Sequence, residues 1–286
     1  MANVYVYDAT SHARDPKQPI LKDANGVTLD NSTIDIMVGA CNLLLSKFCA
    51  AWEVRTPRVY RLLPGVKPKP LDWVFPIIDA DPNEPGAVAY HVDRAEMIDG
   101  YVLAKTIFGY GGFVLTDKSI TGPKVGTELW VHGSNKTTVA GALFHEITEA
   151  IIDDSINIWW ESYTALNIIH PSGTTKSQTT FKNGTTFVCA EVCDPVQQNY
   201  VVVTYRGNQV ALSDYVLPAW KNEDLKRPYN YINTLTKAFT IDLGGYAIIL
   251  DSTGQAQQVF SQAIPVGVEK MKTESQKIRK LRANLA

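Results

Sequence analysis

The residues best suited to chemistry are His145, Glu146 and Glu149, which lie within one short segment flanked by apolar side chains. In a helix His145 and Glu149 stand one turn apart on the same face, and Glu146 points to the side of them. Imidazole nitrogens and carboxylate oxygens are both ligands of divalent cations. A helix over this segment would therefore offer two ligands to one ion, and the remaining ligands must come from elsewhere in the chain.

The spacing of these residues matches the H-E-x-x-H helix of zinc peptidases, except that Glu149 stands in place of the second histidine. In that arrangement the glutamate after the first histidine accepts a proton from water that the metal acidifies, so Glu146 is the candidate general base. An anionic ligand in place of imidazole makes this water less acidic, and oxygen-rich ligation widens the choice of ion from zinc toward manganese or calcium. The alternative is an ordinary helix with Glu146 and Glu149 as surface carboxylates and His145 satisfied by hydrogen bonds.

Three more carboxylates are candidates for this site. Glu191 and Asp194 lie downstream, after a span long enough to return a strand to the helix, and we predict that they supply the missing ligands. Asp153 follows His145 by two helical turns on the same face, but roughly 12 Å along the axis at about 1.5 Å per residue. We expect Asp153 to have a supporting or helix-end role.

The remaining cysteines and histidines give weaker signals. The four cysteines are few for this length and are spaced for packing within one element, so we predict reduced thiols. Cys189 and Cys193 could be zinc ligands, but residues four apart share a face of a strand, and packed core thiols are the preferred interpretation. For His91, at the end of a predicted strand, we prefer a hydrogen-bonded histidine over a site residue.

Hydrophobic periodicity and turn signals predict helices mixed with strands. An amphipathic helix is predicted from residue 31 to about 52, and residues 135–138 are predicted to cap the helix that carries His145. Helices mixed with strands outside a regular βαβ alternation indicate the α+β class. For the adjacent Trp159 and Trp160 we prefer packing beneath the helix over a substrate groove. Strands are predicted over residues 4–7, 58–63, 73–78, 101–108 and 129–132, and strands dominate from 185 to 260.

Composition indicates a folded globular protein. The chain has 286 residues, of which 45% are hydrophobic, and a net charge of −2, which argues against a body that coats nucleic acid. The start of the chain lacks the basic and apolar regions of a signal peptide, and no stretch is predicted to have transmembrane length, so a soluble cytoplasmic protein is expected.

No Walker loop, Rossmann fingerprint or Gly-x-Ser-x-Gly elbow is present, which disfavours nucleotide binding and serine hydrolase chemistry.

We divide the chain into an N-terminal arm at residues 1–30, one domain at 31–267 and a basic C-terminal tail at 268–286. The tail carries six basic and two acidic side chains between residues 269 and 282. Most tails of this kind are solvated, and contact with an acidic partner or with nucleic acid is the alternative.

Two longer segments resemble a known family. Residues 145–158, which begin His-Glu-Ile-Thr-Glu-Ala-Ile-Ile-Asp, and residues 189–194, Cys-Ala-Glu-Val-Cys-Asp, are similar to a family of phage and bacterial proteins. Its members carry an H-E-L-x-E-x-x-x-D-P-x-x-N segment and a later E-V-C-D segment. The spacing also resembles that of the plant Exordium-type, phosphate-induced proteins, in which a tryptophan and an acidic residue follow, as Trp159 and Glu161 do here. Supporting segments, among them residues 86–91, extend the likeness from about residue 33 to about 260.

This resemblance implies a zincin-like α+β domain with a mixed sheet, an active-site helix and a β-rich C-terminal half. It implies His145 and Glu149 as metal ligands, Glu146 as the base, and Glu191 and Asp194 as the source of the remaining ligation. Asp154 departs from the family pattern, which has proline there, and the Exordium-type D-x-C ending is replaced by Asp194-Pro195.

Two functions follow as expectations. The first is a metal-dependent hydrolase of the zincin type, peptidase-like, using zinc and acting on a peptide or protein. The second is a virion structural or accessory protein with a vestigial or purely structural metal site, in which the arm and the tail make assembly contacts. In either case no membrane partner is expected.

Overall fold

The computed structural model describes residues 3–95, 98–117, 124–125, 128–131, 136–153, 157–178, 185–250 and 253–261. The predicted basic tail at 268–286, and Asp154, lie outside these residues. The helices are α1 (Ser11–Arg14), α2 (Asn31–Ala51), α3 (Ala104–Gly109) and α4 (Val139–Ile152). The strands are β1 (Val4–Asp8), β2 (Val59–Arg61), β3 (Trp73–Ile78), β4 (Ala89–Ala95), β5 (Ile98–Leu103), β6 (Lys124–Val125), β7 (Glu128–Val131), β8 (Trp159–Ser162), β9 (Leu166–Ile169), β10 (Thr175–Gln178), β11 (Thr186–Cys189), β12 (Tyr200–Tyr205), β13 (Asn208–Ser213), β14 (Thr240–Ile241), β15 (Tyr246–Leu250) and β16 (Ala256–Phe260).

The strands of the described residues form four sheets. The largest has the order β2-β1-β3-β5-β4, and all of its neighbours pair in parallel except β4, which runs antiparallel to β5 at one edge. The other three have the orders β13-β12-β7-β6, β16-β15-β11-β8 and β10-β9-β14. Helices and strands are thus mixed without regular alternation, and the chain has the predicted α+β class.

The first strand lies inside the largest sheet. Strand β1 pairs with β2 on one side and with β3 on the other, and Val4 and Val6 are fully buried. Their alternation of buried positions is that of a strand with one face against the core. The beginning of the segment predicted as an N-terminal arm is therefore part of the largest sheet.

Helix α2 begins with a reciprocal cap. The Asp30 side chain accepts a hydrogen bond from the Thr33 backbone N–H, and the Thr33 hydroxyl oxygen accepts one from the Asp30 backbone N–H. The cap is thus Asp30, one position before the predicted start of the helix at residue 31. Helix α2 is long and apolar enough to cross a membrane, although no stretch of that length was predicted from the sequence. Half of its most apolar 18-residue stretch is buried inside the protein, however, and a buried core helix can be equally long and apolar.

Helix α4 lies in the interior. It packs against β4 and β5 of the largest sheet, against β13 and against α2. Thr138 caps its first turn by accepting a hydrogen bond from the Gly141 N–H. Each residue from Val139 to Ala150 is buried, so the helix has no solvent-facing side over that length.

One predicted strand is wrong in its second half. Residues 98–103 form β5, but residues 104–109 form α3 instead of continuing the strand. Ala104 and Ile107, three residues apart, are both buried, which is the spacing of a helical face. The apolar and β-branched composition of this segment suits either structure, and only the buried positions distinguish them.

Candidate metal centre

The helix α4 places the sequence-predicted residues in the protein interior. His145 and Glu149 lie one turn apart as expected, and Nε2 of His145 is 3.1 Å from Oε1 of Glu149. Glu146 and Glu149 are 4% and 0% exposed. They are therefore not the surface carboxylates of an ordinary helix, and burial of such groups is unfavourable unless hydrogen bonds or a cation compensate their charge.

Asp194 reaches the same histidine from a distant part of the chain. It begins a short 3-10 turn (Asp194–Val196) after β11, with Pro195 at the next position. Its Oδ1 lies 3.1 Å from Nε2 of His145, and the residue is fully buried. Its second oxygen, Oδ2, is buried and has no hydrogen-bond partner among the described residues.

Two carboxylates therefore converge on one ring nitrogen. Nε2 of His145 carries at most one proton and can donate one good hydrogen bond, yet oxygens of Glu149 and Asp194 both lie 3.1 Å from it. Burial alone would lower the pKa of His145, but the negative charge of Glu149, with hydrogen bonds that His145 donates to Asp194 and Glu149, raises this pKa well above 6.5. A divalent cation among these atoms would offer each of them a partner, so the residues present fit a metal ion.

His91 is hydrogen-bonded, as its place at the end of a predicted strand indicated, but its partner is Glu146, so it lies in the site from which it was excluded. It lies on the edge strand β4, is 1% exposed, and its Nδ1 is 2.9 Å from Oε2 of Glu146 and 3.7 Å from Oε2 of Glu149. The histidine is far from α4 in sequence, so no local spacing relates the two. The one signal that pointed to it was its place in the resembling segment at residues 86–91.

Glu191 lies on the His91 side of the site. Ligand atoms of His91, Glu149 and Glu191 all lie within 4.8 Å of one another, and so do those of His145, Glu146 and Glu149. The Cys189 thiol donates a long hydrogen bond to Oε1 of Glu191, at 3.8 Å. These buried histidine and glutamate groups could bind a metal ion.

Asp153 ends α4 and holds the chain that follows. It is 2% exposed, and its two carboxylate oxygens accept hydrogen bonds from the backbone N–H groups of Asn157 and Ile158, at 2.9 and 2.8 Å. Burial raises the pKa of Asp153, and the charge of Glu191 adds to that effect. Its contacts give it the helix-end role that the sequence indicated.

The cysteines are buried and free, as their spacing suggested. Cys193 contacts two residues of helix α4. Its backbone N–H donates a hydrogen bond to Oε1 of Glu149 at 3.4 Å, and its sulfur lies 3.1 Å from the Thr148 hydroxyl. Burial raises the pKa of the Cys193 thiol, which keeps it protonated at neutral pH. The structure thus uses this cysteine as a packed residue that fixes a carboxylate.

Comparisons with protein-family models, with curated proteins and with solved structures gave no match to this chain. The resemblance to the phage and bacterial family therefore stays a prediction, and function is inferred from the geometry of the site.

Proposed function

We propose that the chain is a metal-dependent hydrolase of the zincin type that acts on a peptide or a similar bond. One observation carries this proposal: Glu149 and Asp194 both contact Nε2 of His145 inside a buried helix environment. Stability alone gives little reason to bury two carboxylates against one imidazole nitrogen, because each must lose its hydration.

In this proposal His145, Glu149 and Asp194 hold the ion, and Glu191 supports it from the side of His91. Zinc binds well to the imidazole nitrogen of His145, and manganese or calcium binds well to the carboxylate oxygens that make up the rest of the ligand set. When bound, the ion supplies Lewis acidity that lowers the pKa of water and polarises a carbonyl group.

Glu146 is the residue we assign to proton transfer. It is adjacent to His145 in sequence, and its carboxylate belongs to the same close group as His145 and Glu149. His91 lies 2.9 Å from Oε2 of Glu146 and donates a hydrogen bond to it when Nδ1 is protonated. This contact fixes the orientation of the carboxylate, so His91 is a positioning residue for the base.

The surrounding architecture supports a zincin-like interpretation and a peptide substrate. A single buried helix carries His145, Glu146 and Glu149 and packs on β4 and β5, and β4 ends the sheet among the described strands. An edge strand offers backbone N–H and C=O groups to which an extended peptide can add. Since β4 also carries His91, a peptide held there would lie beside the carboxylate of Glu146.

The test compares the wild-type chain with Glu146→Gln. We expect unstructured peptides to be cleaved by the wild type and kcat to fall at least about 100-fold in the variant, because a general base contributes at least that factor. Elemental analysis of both proteins shows whether the ion is retained. Glu53→Gln, at an exposed glutamate, is the matched control and should cleave at the wild-type rate.

Equal rates for the wild type and Glu146→Gln would refute this mechanism. A wild-type chain that binds metal but cleaves no peptide would instead favour a metal site of purely structural use, as expected for a virion component.

A further inference from the structure

The carboxylate of Glu149 faces two histidines with its two oxygens. Oε1 lies 3.1 Å from Nε2 of His145, and Oε2 lies 3.7 Å from Nδ1 of His91. In carboxylate-rich two-metal sites, cations about 3.5–4 Å apart share ligands of this type. Glu149 therefore has the orientation of a bridging carboxylate, which a single ion does not require.

Two ligand groups meet at this residue. One consists of His91, Glu149 and Glu191, and the other of His145, Glu146 and Glu149, each with its ligand atoms within 4.8 Å of one another. Their histidines come from different elements, the edge strand β4 and the helix α4. Glu146 is the proton-transfer residue of the proposed function, and Oδ1 of Asp194, 3.1 Å from Nε2 of His145, takes its place as the third ligand beside His145 and Glu149. Each ion then has the three protein ligands that a metal site needs at least.

Burial and charge favour a second ion. His91, Glu149 and Glu191 are each at most 2% exposed, so a cation among them would be enclosed by protein. On the His145 side of the site, Asp194 has a second buried carboxylate oxygen, Oδ2, with no hydrogen-bond partner within the described parts of the chain. The carboxylates of Glu146, Glu149, Glu191 and Asp194 carry four negative charges when ionised, and one divalent ion offsets two of them.

We propose that the site holds two divalent cations, with Glu149 as the bridging ligand, His145 and Asp194 on the first ion, and His91 and Glu191 on the second. The proposal rests on the metal site of the proposed function and adds a second ion to it. Nδ1 of His91 faces Glu146 at hydrogen-bond distance. If His91 binds the ion through this nitrogen, the cation replaces the imidazole proton as the positive partner of the Glu146 carboxylate.

The test measures metal stoichiometry and needs no activity. The full-length chain is stripped with a chelator, titrated with manganese or zinc alone, passed through a desalting column and analysed for bound metal. We expect two ions per wild-type chain and one ion in Glu191→Gln and in His91→Asn. Glu149→Gln should weaken the binding of both ions, because it removes charge from the shared ligand. The control variants Glu53→Gln and His170→Asn, whose substitutions lie outside both ligand groups, should each bind two ions per chain.

Electron paramagnetic resonance of the wild-type manganese form gives a readout that does not depend on whether a variant folds. Ions that share a carboxylate are spin-coupled, whereas a single ion gives an isolated spectrum. One ion per wild-type chain with an isolated spectrum would overturn the second site and leave the proposed hydrolase intact. No bound ion in the wild type would overturn both, and loss of activity in Glu146→Gln with one ion bound would retain only the proposed function.

Discussion

Nε2 of His145 and Oδ1 of Asp194 lie 3.1 Å apart, although 49 positions separate the two residues in the chain. This contact joins the buried helix α4 to the turn after β11. The remaining Asp194 oxygen is buried without a hydrogen-bond partner in the described structure. The contact is thus the most direct evidence that the two distant segments complete one site.

From this contact we predict that Asp194→Asn weakens metal binding at least about ten-fold, since even residues behind the ligands contribute 10–100-fold to affinity. The amide keeps the shape of the carboxylate and removes its charge, so the loss reports ligation rather than packing. Competition with a chromophoric chelator measures the affinity. Asp224→Asn, at an exposed aspartate, is the control. Unchanged affinity in Asp194→Asn would remove this residue from the ligand set.

The second prediction concerns stability. An ion that binds only the folded chain raises the free energy of unfolding by about 2.7 kcal/mol at a free concentration 100 times Kd. We therefore expect a chelator to lower the Tm of the wild-type chain by several degrees, and restored metal to reverse the change. His145→Asn should show a much smaller response to the chelator. The comparison uses differential scanning calorimetry, and an equal response in both proteins would place the ion elsewhere.

The elements that were predictable from sequence are those with strong local signals. Helices α2 and α4 have polar caps at Asp30 and Thr138 followed by long apolar segments, and both were expected within one or two residues of their observed starts. The segment at residues 104–109 lacks such a signal, and its helix was predicted as a strand. The local pattern of apolar residues distinguishes a helix from a strand only where the helical period of about 3.6 residues or the strand period of about 2 residues is clearly dominant.

The site was predictable only in part for a related reason. His145, Glu146 and Glu149 stand on one helix, so their spacing alone relates them. The positions of His91, Glu191 and Asp194 depend on which strands pair and in what order, and this information is non-local. His91 entered the site because β4 lies against α4, which no spacing in the sequence indicates.

The third prediction tests whether the tryptophan pair serves packing. Trp160 is 8% exposed, its ring stacks on Trp52 at 5.6 Å between centroids, and Nζ of Lys221 lies 5.3 Å from the Trp160 centroid. We expect Trp160→Ala to lower the free energy of unfolding by about 3–5 kcal/mol, because it removes a large buried side chain. The partly buried neighbour Trp159 is the matched control, and Trp159→Ala should lower the free energy of unfolding by less than Trp160→Ala does. Urea denaturation measures both, and a larger loss in Trp159→Ala would contradict the packing role.

The fourth prediction concerns a second group of buried carboxylates. Oδ2 of Asp214 accepts a hydrogen bond from the Asn230 side chain at 2.7 Å, and Oδ1 accepts one from the Ile232 N–H at 3.4 Å. The Asn230 amide also donates to the Thr234 hydroxyl, and that hydroxyl donates to the buried carboxylate of Asp242. Burial raises the pKa of Asp214 from 3.8 to about 7, and the nearby charge of Asp242 adds to the effect.

The folded state therefore holds the Asp214 proton more tightly than the unfolded state. This contribution to stability is fully present below pH 3.8 and is lost as pH rises through about 7. Between these limits we expect the free energy of unfolding of the wild type to fall relative to that of Asp214→Asn by on the order of a few kcal/mol. Urea denaturation of both proteins at a series of pH values measures the difference, whatever the absolute stability of the variant. Parallel pH profiles for the two proteins would show that Asp214 ionises in the folded chain as it does in the unfolded one.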